Sequence, residues 1–136
     1  MRRRSGPGGA HGSAWSPPGS VTERQVAAAQ AVFYVGTGVW PLVHRGSFER
    51  VTGPKTDFWL AQTVGVLVTA VGGGLAHAVA SGREVSPELR TVACGSGVGL
   101  ALVDVLFVMR RRISPIYLLD AAAEVGLAAG WFLARR

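Results

Sequence analysis

The chain has 136 residues, enough for one small domain, and 49% of them are hydrophobic while only 16% are charged. Soluble domains carry roughly 25% charged residues, so a soluble fold of this size would expose large apolar patches. Glycine occurs 19 times, and membrane helices tolerate glycine because it lets neighbouring backbones approach closely. The composition excludes an ordinary soluble domain and favours a protein that lies in lipid.

The formal net charge is +6 and the pI is about 11.0, which in a soluble protein would suggest nucleic acid as a partner. Here the basic residues form short clusters between or beyond apolar segments: Arg2–Arg4, Arg45 with Arg50 and Lys55, Arg110–Arg112, and Arg135 with Arg136. Clusters in these places are typical of anchors at anionic lipid headgroups. We therefore expect the lipid bilayer as a partner and no nucleic acid.

The chain offers few residues for catalysis or metal binding. Cys94 is the single cysteine, so neither an intrachain disulfide nor a thiolate metal site can form. HExxH, Walker and GxSxG motifs do not occur in the sequence. We expect no metal and no cofactor. An enzyme would have to use Glu124 alone as general acid or base, which makes catalysis the least supported function.

The sequence divides into a tail and one helical domain. Residues 1–21 are rich in Gly, Pro, Ser and Arg, a composition that cannot bury enough apolar surface to become ordered. No apolar run follows the first arginines, so this segment lacks the pattern of a cleavable signal peptide. We predict a disordered tail over 1–21 and an all-α domain over 22–136.

Four apolar segments follow the tail, each near the roughly 20 residues that cross a bilayer. They cover residues 26–43, 58–80, 89–109 and 113–134. Pro115 is predicted in the first turn of the fourth segment, where a missing N–H costs little. Four aromatic residues lie towards segment ends, as in an aromatic belt: Trp40, Trp59, Tyr117 and Trp131. The predicted fold is an integral membrane bundle of four transmembrane helices.

Four spans would place both termini on the same side of the membrane. Arg and Lys residues near the spans are almost evenly divided between the two sides, so the positive-inside rule decides little by itself. The additional charges of Arg2–Arg4 favour cytoplasmic termini. The predicted location is a bacterial plasma membrane.

Three carboxyl groups lie within the apolar segments: Asp104, Asp120 and Glu124. An ionised Asp near a helix centre costs roughly 2.5–3.5 kcal/mol on insertion scales, so these groups need partners, protons or a function. Asp120 and Glu124 are four residues apart and share a helix face. Asp104 and Asp120 are each eight residues from Arg112, hence at similar depth. We predict an acidic pocket formed by these three residues.

The other segments supply candidate hydrogen-bonding partners for this pocket, namely Tyr34, Gln62 and Thr69. One hypothesis is that the pocket binds a proton, a cation or a lipophilic small molecule, as in a transporter. The alternative is a structural network, in which Arg110–Arg112 neutralise the acids or hydrogen bonds lock the helices together.

Small residues form a second pattern on the last two segments: Gly95 and Gly99, then Ala122, Gly126 and Gly130. At about 100° per residue, these positions face away from the acids. Small residues permit close helix contact, so this pattern predicts an interface with a second copy or a larger complex. The second functional hypothesis is accordingly an accessory or assembly subunit that docks through these faces.

The connection between the first two segments predicts a short interfacial helix capped by Ser47. Three stretches in and around it are WPL at 40–42, SFE at 47–49 and VTGPK at 51–55, and a fourth, YLLDA at 117–121, lies in the last segment. With these stretches the chain resembles a group of small bacterial four-span membrane proteins. The resemblance implies the four-span fold but no activity, cofactor or site residue.

Overall fold

A computed structural model describes residues 21–135, so the predicted tail lies outside the described residues except for Val21. The described part of the chain is all-helical, as predicted. Its helices, in chain order, are α1 (Glu23–Val43), α2 (Arg45–Thr52), α3 (Phe58–Ala80), α4 (Pro87–Met109) and α5 (Tyr117–Leu133).

Hydroxyl side chains cap the starts of α1 and α4. The Thr22 hydroxyl accepts a hydrogen bond from the Gln25 N–H at 3.3 Å, and the Gln25 side chain accepts one from the Thr22 N–H at 3.0 Å. The Ser86 hydroxyl accepts from the Leu89 N–H at 3.2 Å, with Pro87 as the first helical residue. Because these caps satisfy N–H groups that a helix leaves open, both helices begin before their predicted apolar segments.

Three helices, α1, α3 and α4, are long and apolar enough to cross a membrane. The distribution of apolar and polar side chains is also the reverse of that in a soluble protein. Large apolar side chains point outward, with Val32 on α1 at 76% and Met109 on α4 at 76% exposure, whereas Gln30, Asp104 and Glu124 are buried. Apolar outer surfaces suit lipid as solvent. The chain is therefore an integral membrane protein.

The fourth predicted span is shorter in the structure. Helix α5 has 17 residues, fewer than the roughly 20 needed to cross a bilayer. The residues before it form tight turns, in which the Tyr117 N–H donates to the Ser114 carbonyl at 3.1 Å and the Leu118 N–H to the Pro115 carbonyl at 3.0 Å. The prediction that Pro115 lies in the first helical turn was wrong, since α5 begins at Tyr117. Three of the four predicted spans thus meet the length and apolarity of a membrane helix.

Helix α1 packs most extensively on α3, and α4 on α5. The two ends of the described chain meet, because the Glu23 N–H donates to the Arg135 carbonyl at 3.0 Å and the Arg135 N–H to the Val21 carbonyl at 3.0 Å. Arg90 of α4 joins them by an ion pair to Glu23 at 2.8 Å and a hydrogen bond to the Trp131 carbonyl at 2.7 Å. We call this region, which includes the α3–α4 connection at 81–86, the terminal end.

The contact between α1 and α3 depends on glycines that the sequence analysis did not single out. A Cβ placed on Gly38 would lie 2.7 Å from the Gly65 carbonyl oxygen, and one placed on Gly72 would lie 2.8 Å from the Tyr34 Cβ. Real Cβ atoms do not approach other atoms so closely, so only glycine allows these two helices to touch.

The predicted interfacial helix exists as α2, at the end of the molecule opposite the terminal end. The prediction that Ser47 caps this helix was wrong. Its N-cap is His44, because the His44 ring accepts a hydrogen bond from the Ser47 N–H at 3.0 Å. The Ser47 hydroxyl instead accepts from the Trp40 indole N–H at 2.9 Å. This bond ties α2 to the last turns of α1.

Cations at this opposite end stack on aromatic rings. The Arg45 guanidinium lies 4.4 Å from the centre of the Phe58 ring, and the Lys55 ammonium lies 5.0 Å from that of Tyr117. Such contacts link the 44–57 connection to α3 and α5. Arg45 also pairs with Glu49 at 3.2 Å, and hydrogen bonds from Arg45 and from the Lys55 N–H lower the pKa of Glu49.

Candidate functional site

Glu124 of α5 lies at the centre of the helix assembly, with only 1% of its surface exposed. The Tyr34 hydroxyl of α1 donates a hydrogen bond to Glu124 Oε2 at 2.9 Å. Helix α4 leaves room for the carboxyl group because its facing residue is Gly97, where a Cβ would lie 3.1 Å from the same oxygen. Three helices therefore form the surroundings of this carboxyl group.

Asp104 and Asp120 form the second part of the site. Asp104 of α4 is buried, with 7% exposure, and Asp120 lies half-buried in the first turn of α5. Their carboxyl groups adjoin within hydrogen-bonding reach, although two carboxylates can share a hydrogen bond only if one of them carries a proton. Asp104, Asp120 and Glu124 are here called the carboxyl cluster.

No basic side chain compensates this cluster within residues 21–135. The ion pairs in that range join Arg45 to Glu49 and Arg90 to Glu23, whereas the side chains of Arg110–Arg112 are exposed. The Asp104 Oδ2 atom is buried and receives no hydrogen bond from any described residue. Since an uncompensated buried carboxylate is costly, protons are the counter-charge that this arrangement can accept.

A buried hydrogen-bonded bridge lies next to the cluster on the side of the terminal end. Gln30 of α1 donates to the Ala93 carbonyl at 3.0 Å and accepts from the Trp131 indole N–H at 2.6 Å. Trp131 is fully buried, so its predicted place in an aromatic belt was wrong. The indole faces inward because its N–H finds an acceptor there. This bridge joins α1, α4 and α5 without an ionisable group.

The structure joins only one of the three predicted partners to the carboxyl cluster. Tyr34 contacts Glu124, as described above. Gln62 is exposed on α3, and the Thr69 hydroxyl lies against Gly38 of α1, where no described residue bonds to it. Gln30 and Trp131, which sequence reasoning omitted from the site, hold the neighbouring helices. The four-residue spacing of Gln30 and Tyr34 on α1 was the available signal for Gln30.

The predicted small-residue interface is divided between two environments. Gly95, Gly99, Ala122 and Gly126 are exposed, and a Cβ on any of these three glycines would meet nothing within 4 Å. Gly130 instead packs inside the chain, where a Cβ would lie 3.2 Å from Val26 Cγ2. The outward-facing small residues lie on α4 and α5.

Two open cavities formed by the described residues have no member of the carboxyl cluster in their lining. One is at the terminal end, and the other is an apolar groove between α4 and α5. In the part of the chain that the structure describes, no group of three His, Cys, Asp or Glu side chains is arranged to hold a metal ion. Because Asp104 and Glu124 are buried, the cluster is a packed set of carboxyl groups whose geometry suits a ligand as small as a proton. No protein family, curated protein or solved structure matches this chain.

Proposed function

We propose that this membrane protein binds and releases protons at the carboxyl cluster, as a transporter-like protein does. The observation that carries the proposal is the burial of Asp104 and Glu124 without a basic partner among the described residues. Intramembrane carboxyl groups of this kind mark proton and ion pathways in membrane proteins. The packed surroundings favour a proton over the larger cations and lipophilic molecules that the sequence also allowed.

Each member of the cluster has its own part in the proposal. Asp104 and Asp120 share one proton, because two like charges in contact in a low-dielectric site repel strongly. Glu124 exchanges a second proton. When it is ionised, the Tyr34 hydroxyl donates to it at 2.9 Å, and when it is protonated, that hydroxyl can accept instead. This pairing gives both states of Glu124 a hydrogen bond.

The proposal includes a fourth crossing by α5 and a position in the bacterial plasma membrane with cytoplasmic termini. With 17 residues, α5 is about 26 Å long, a few ångström short of a hydrocarbon core of about 30 Å. The turns at residues 113–116 and local thinning of the bilayer supply the difference at modest cost. The hydrogen bonds that join Val21 and Glu23 to Arg135 support a common side for the termini.

Cysteine labelling tests the fourth crossing. In a Cys94→Ser background, we expect Ser81→Cys and Arg135→Cys to react with an impermeant maleimide from one side of the membrane. Arg111→Cys, in the turn between α4 and α5, should react from the other side. Arg111→Cys and Arg135→Cys that react from the same side would remove α5 from the set of crossing helices.

Infrared titration of the protein in lipid tests proton binding. We expect a carboxyl absorption that changes with pH between about pH 5 and 9 and that Asp104→Asn and Glu124→Gln each reduce. The control is Glu49→Gln, which removes a half-buried carboxyl group of α2, outside the long apolar helices, whose pKa is lowered by hydrogen bonds from Arg45 and Lys55; it should leave this absorption unchanged. A carboxyl absorption that is constant over this range would contradict the proposal.

A second candidate is an accessory or assembly subunit that docks through α4 and α5. It is favoured by the outward-facing small residues and by the groove between these helices, which is almost wholly apolar. The groove is lined by Val98, Ala101, Leu102, Val105, Val125, Ala128, Ala129 and Phe132. A lipid-facing surface of small side chains allows another helix to pack closely.

Light scattering in mild detergent tests this second candidate. Gly99→Leu and Gly126→Leu are expected to reduce the mass of any oligomer, because a leucine would separate the packed surfaces. The single chain should stay folded, since a Cβ at either position meets nothing within 4 Å. Gly36→Leu on the exposed face of α1 is the matched control. An unchanged mass in all variants would argue against docking through α4 and α5.

A further inference from the structure

The terminal end contains an open cavity of about 410 Å³, a volume within the range of ligand pockets, about 300–1,000 Å³. It lies where the start of α1, the α3–α4 connection, the first turn of α4 and Arg135 beyond the end of α5 come together. The described residues that line it are Thr22, Glu23, Arg24, Val79, Gly82, Arg83, Glu84, Val85, Pro87, Arg90 and Arg135. We call this cavity the arginine cavity.

The charges around the arginine cavity are unbalanced. Among residues 21–135, its lining has four arginines and two glutamates. One arginine and one glutamate neutralise each other, because Arg90 pairs with Glu23 at 2.8 Å. The remaining charged residues of the lining are Glu84 and three arginines, Arg24, Arg83 and Arg135, so three positive charges stand against one negative charge. The side chains of these three arginines form no hydrogen bond or ion pair with any residue between 21 and 135. A cavity with three such guanidinium groups attracts an anion.

The opposite end of the molecule does not offer the same arrangement. There, Arg45 stacks on Phe58 and pairs with Glu49, and Lys55 stacks on Tyr117. Those cations are already used to hold the 44–57 connection in place, and the exposed arginines Arg110–Arg112 line neither of the two cavities described above. At the starts of α1 and α4, which lie at the terminal end, backbone N–H groups already have acceptors, because the Thr22 and Ser86 hydroxyls cap these helices. Anion binding in the arginine cavity therefore depends on its guanidinium groups.

We propose that the arginine cavity binds a phosphate group, with Arg24, Arg83 and Arg135 as its ligands. Guanidinium groups match the oxygens of a phosphate in charge and in the direction of their hydrogen bonds. The cavity lies beyond the helix ends, at the level where phospholipid headgroups meet a membrane-spanning protein. The phosphate group belongs either to an anionic phospholipid or to a soluble phosphate ester, and the experiment below separates these sources.

Two triple variants with the same change in net charge test the site. One carries Arg24→Gln, Arg83→Gln and Arg135→Gln, and the other carries Arg110→Gln, Arg111→Gln and Arg112→Gln on the exposed turn at the opposite end. Arg90 stays unchanged in both, because it holds α5 to α4. Phosphatidylglycerol, glycerol phosphate and inorganic phosphate are titrated separately into each protein in neutral detergent, and binding is measured by native mass spectrometry and by the shift in melting temperature.

We expect the first triple variant to bind phosphatidylglycerol on the order of a hundredfold more weakly than the unchanged protein, since each basic contact is worth about fivefold. The second triple variant should lose less than about threefold. Binding of phosphatidylglycerol alone identifies a lipid headgroup as the source, and binding of glycerol phosphate or inorganic phosphate identifies a soluble one. Equal losses in the two variants, or no binding of any probe, would overturn the proposal.

Discussion

Gly38→Ala is expected to destabilise the folded chain by about 1–3 kcal/mol, as overpacking of a close contact does. The new Cβ would lie 2.7 Å from the Gly65 carbonyl oxygen and 3.0 Å from the Thr69 backbone nitrogen, and closer still to the Thr69 hydroxyl. Backbone atoms of α3 cannot rotate away as the end of a flexible side chain can. The two helices must separate, and the contacts along their length weaken together.

Gly36→Ala is the matched control, because a Cβ at that position of α1 meets nothing within 4 Å. Alanine favours a helix over glycine by roughly 0.5–1 kcal/mol, so this variant should be as stable as the unchanged protein or slightly more so. Unfolding in mixed micelles with increasing denaturing detergent measures both free energies. Equal effects at the two positions would show that α1 and α3 do not meet at Gly38.

Glu124→Leu is the second substitution for which we expect a large effect. Leucine removes the acceptor of the Tyr34 hydroxyl, which is buried and 2.9 Å from the carboxyl oxygen. A buried donor left without an acceptor costs about 1–3 kcal/mol. Glu124→Gln keeps an acceptor oxygen of similar reach, so it should be nearly neutral for stability. It should nevertheless abolish proton exchange at this position, because an amide does not titrate.

Thermal unfolding in detergent and proton uptake by vesicles containing the protein measure the two properties separately. Asp57→Asn is the control, since Asp57 is exposed and its side chain caps no helix N–H. A Glu124→Gln protein that still takes up protons as the unchanged protein does would exclude Glu124 from the proposed pathway. If Glu124→Gln instead destabilises the protein as much as Glu124→Leu does, the carboxylate has a purely structural role.

The sequence by itself was sufficient for the features that depend on local composition. Hydropathy located the second long helix at 58–80, the bounds that α3 has in the structure. It also located α1 and α4 to within three residues at their starts. The cost of placing carboxyl groups in an apolar segment directed attention to Asp104, Asp120 and Glu124 before any contact was known. Each of these inferences needs only the residues of one segment and the solvent around it.

Only the tertiary structure decided which faces of the helices meet. Tyr34, Gln62 and Thr69 have similar polar side chains in their segments, yet only Tyr34 reaches the carboxyl cluster, because α1 and not α3 supplies the hydroxyl next to Glu124. Trp131 turned inward because Gln30 of another helix accepts its N–H. Gly38 of α1 and Gly65 of α3 are in contact because each lies opposite the other's backbone. A contact between helices depends on two surfaces at once, and hydropathy along one segment does not contain the other surface.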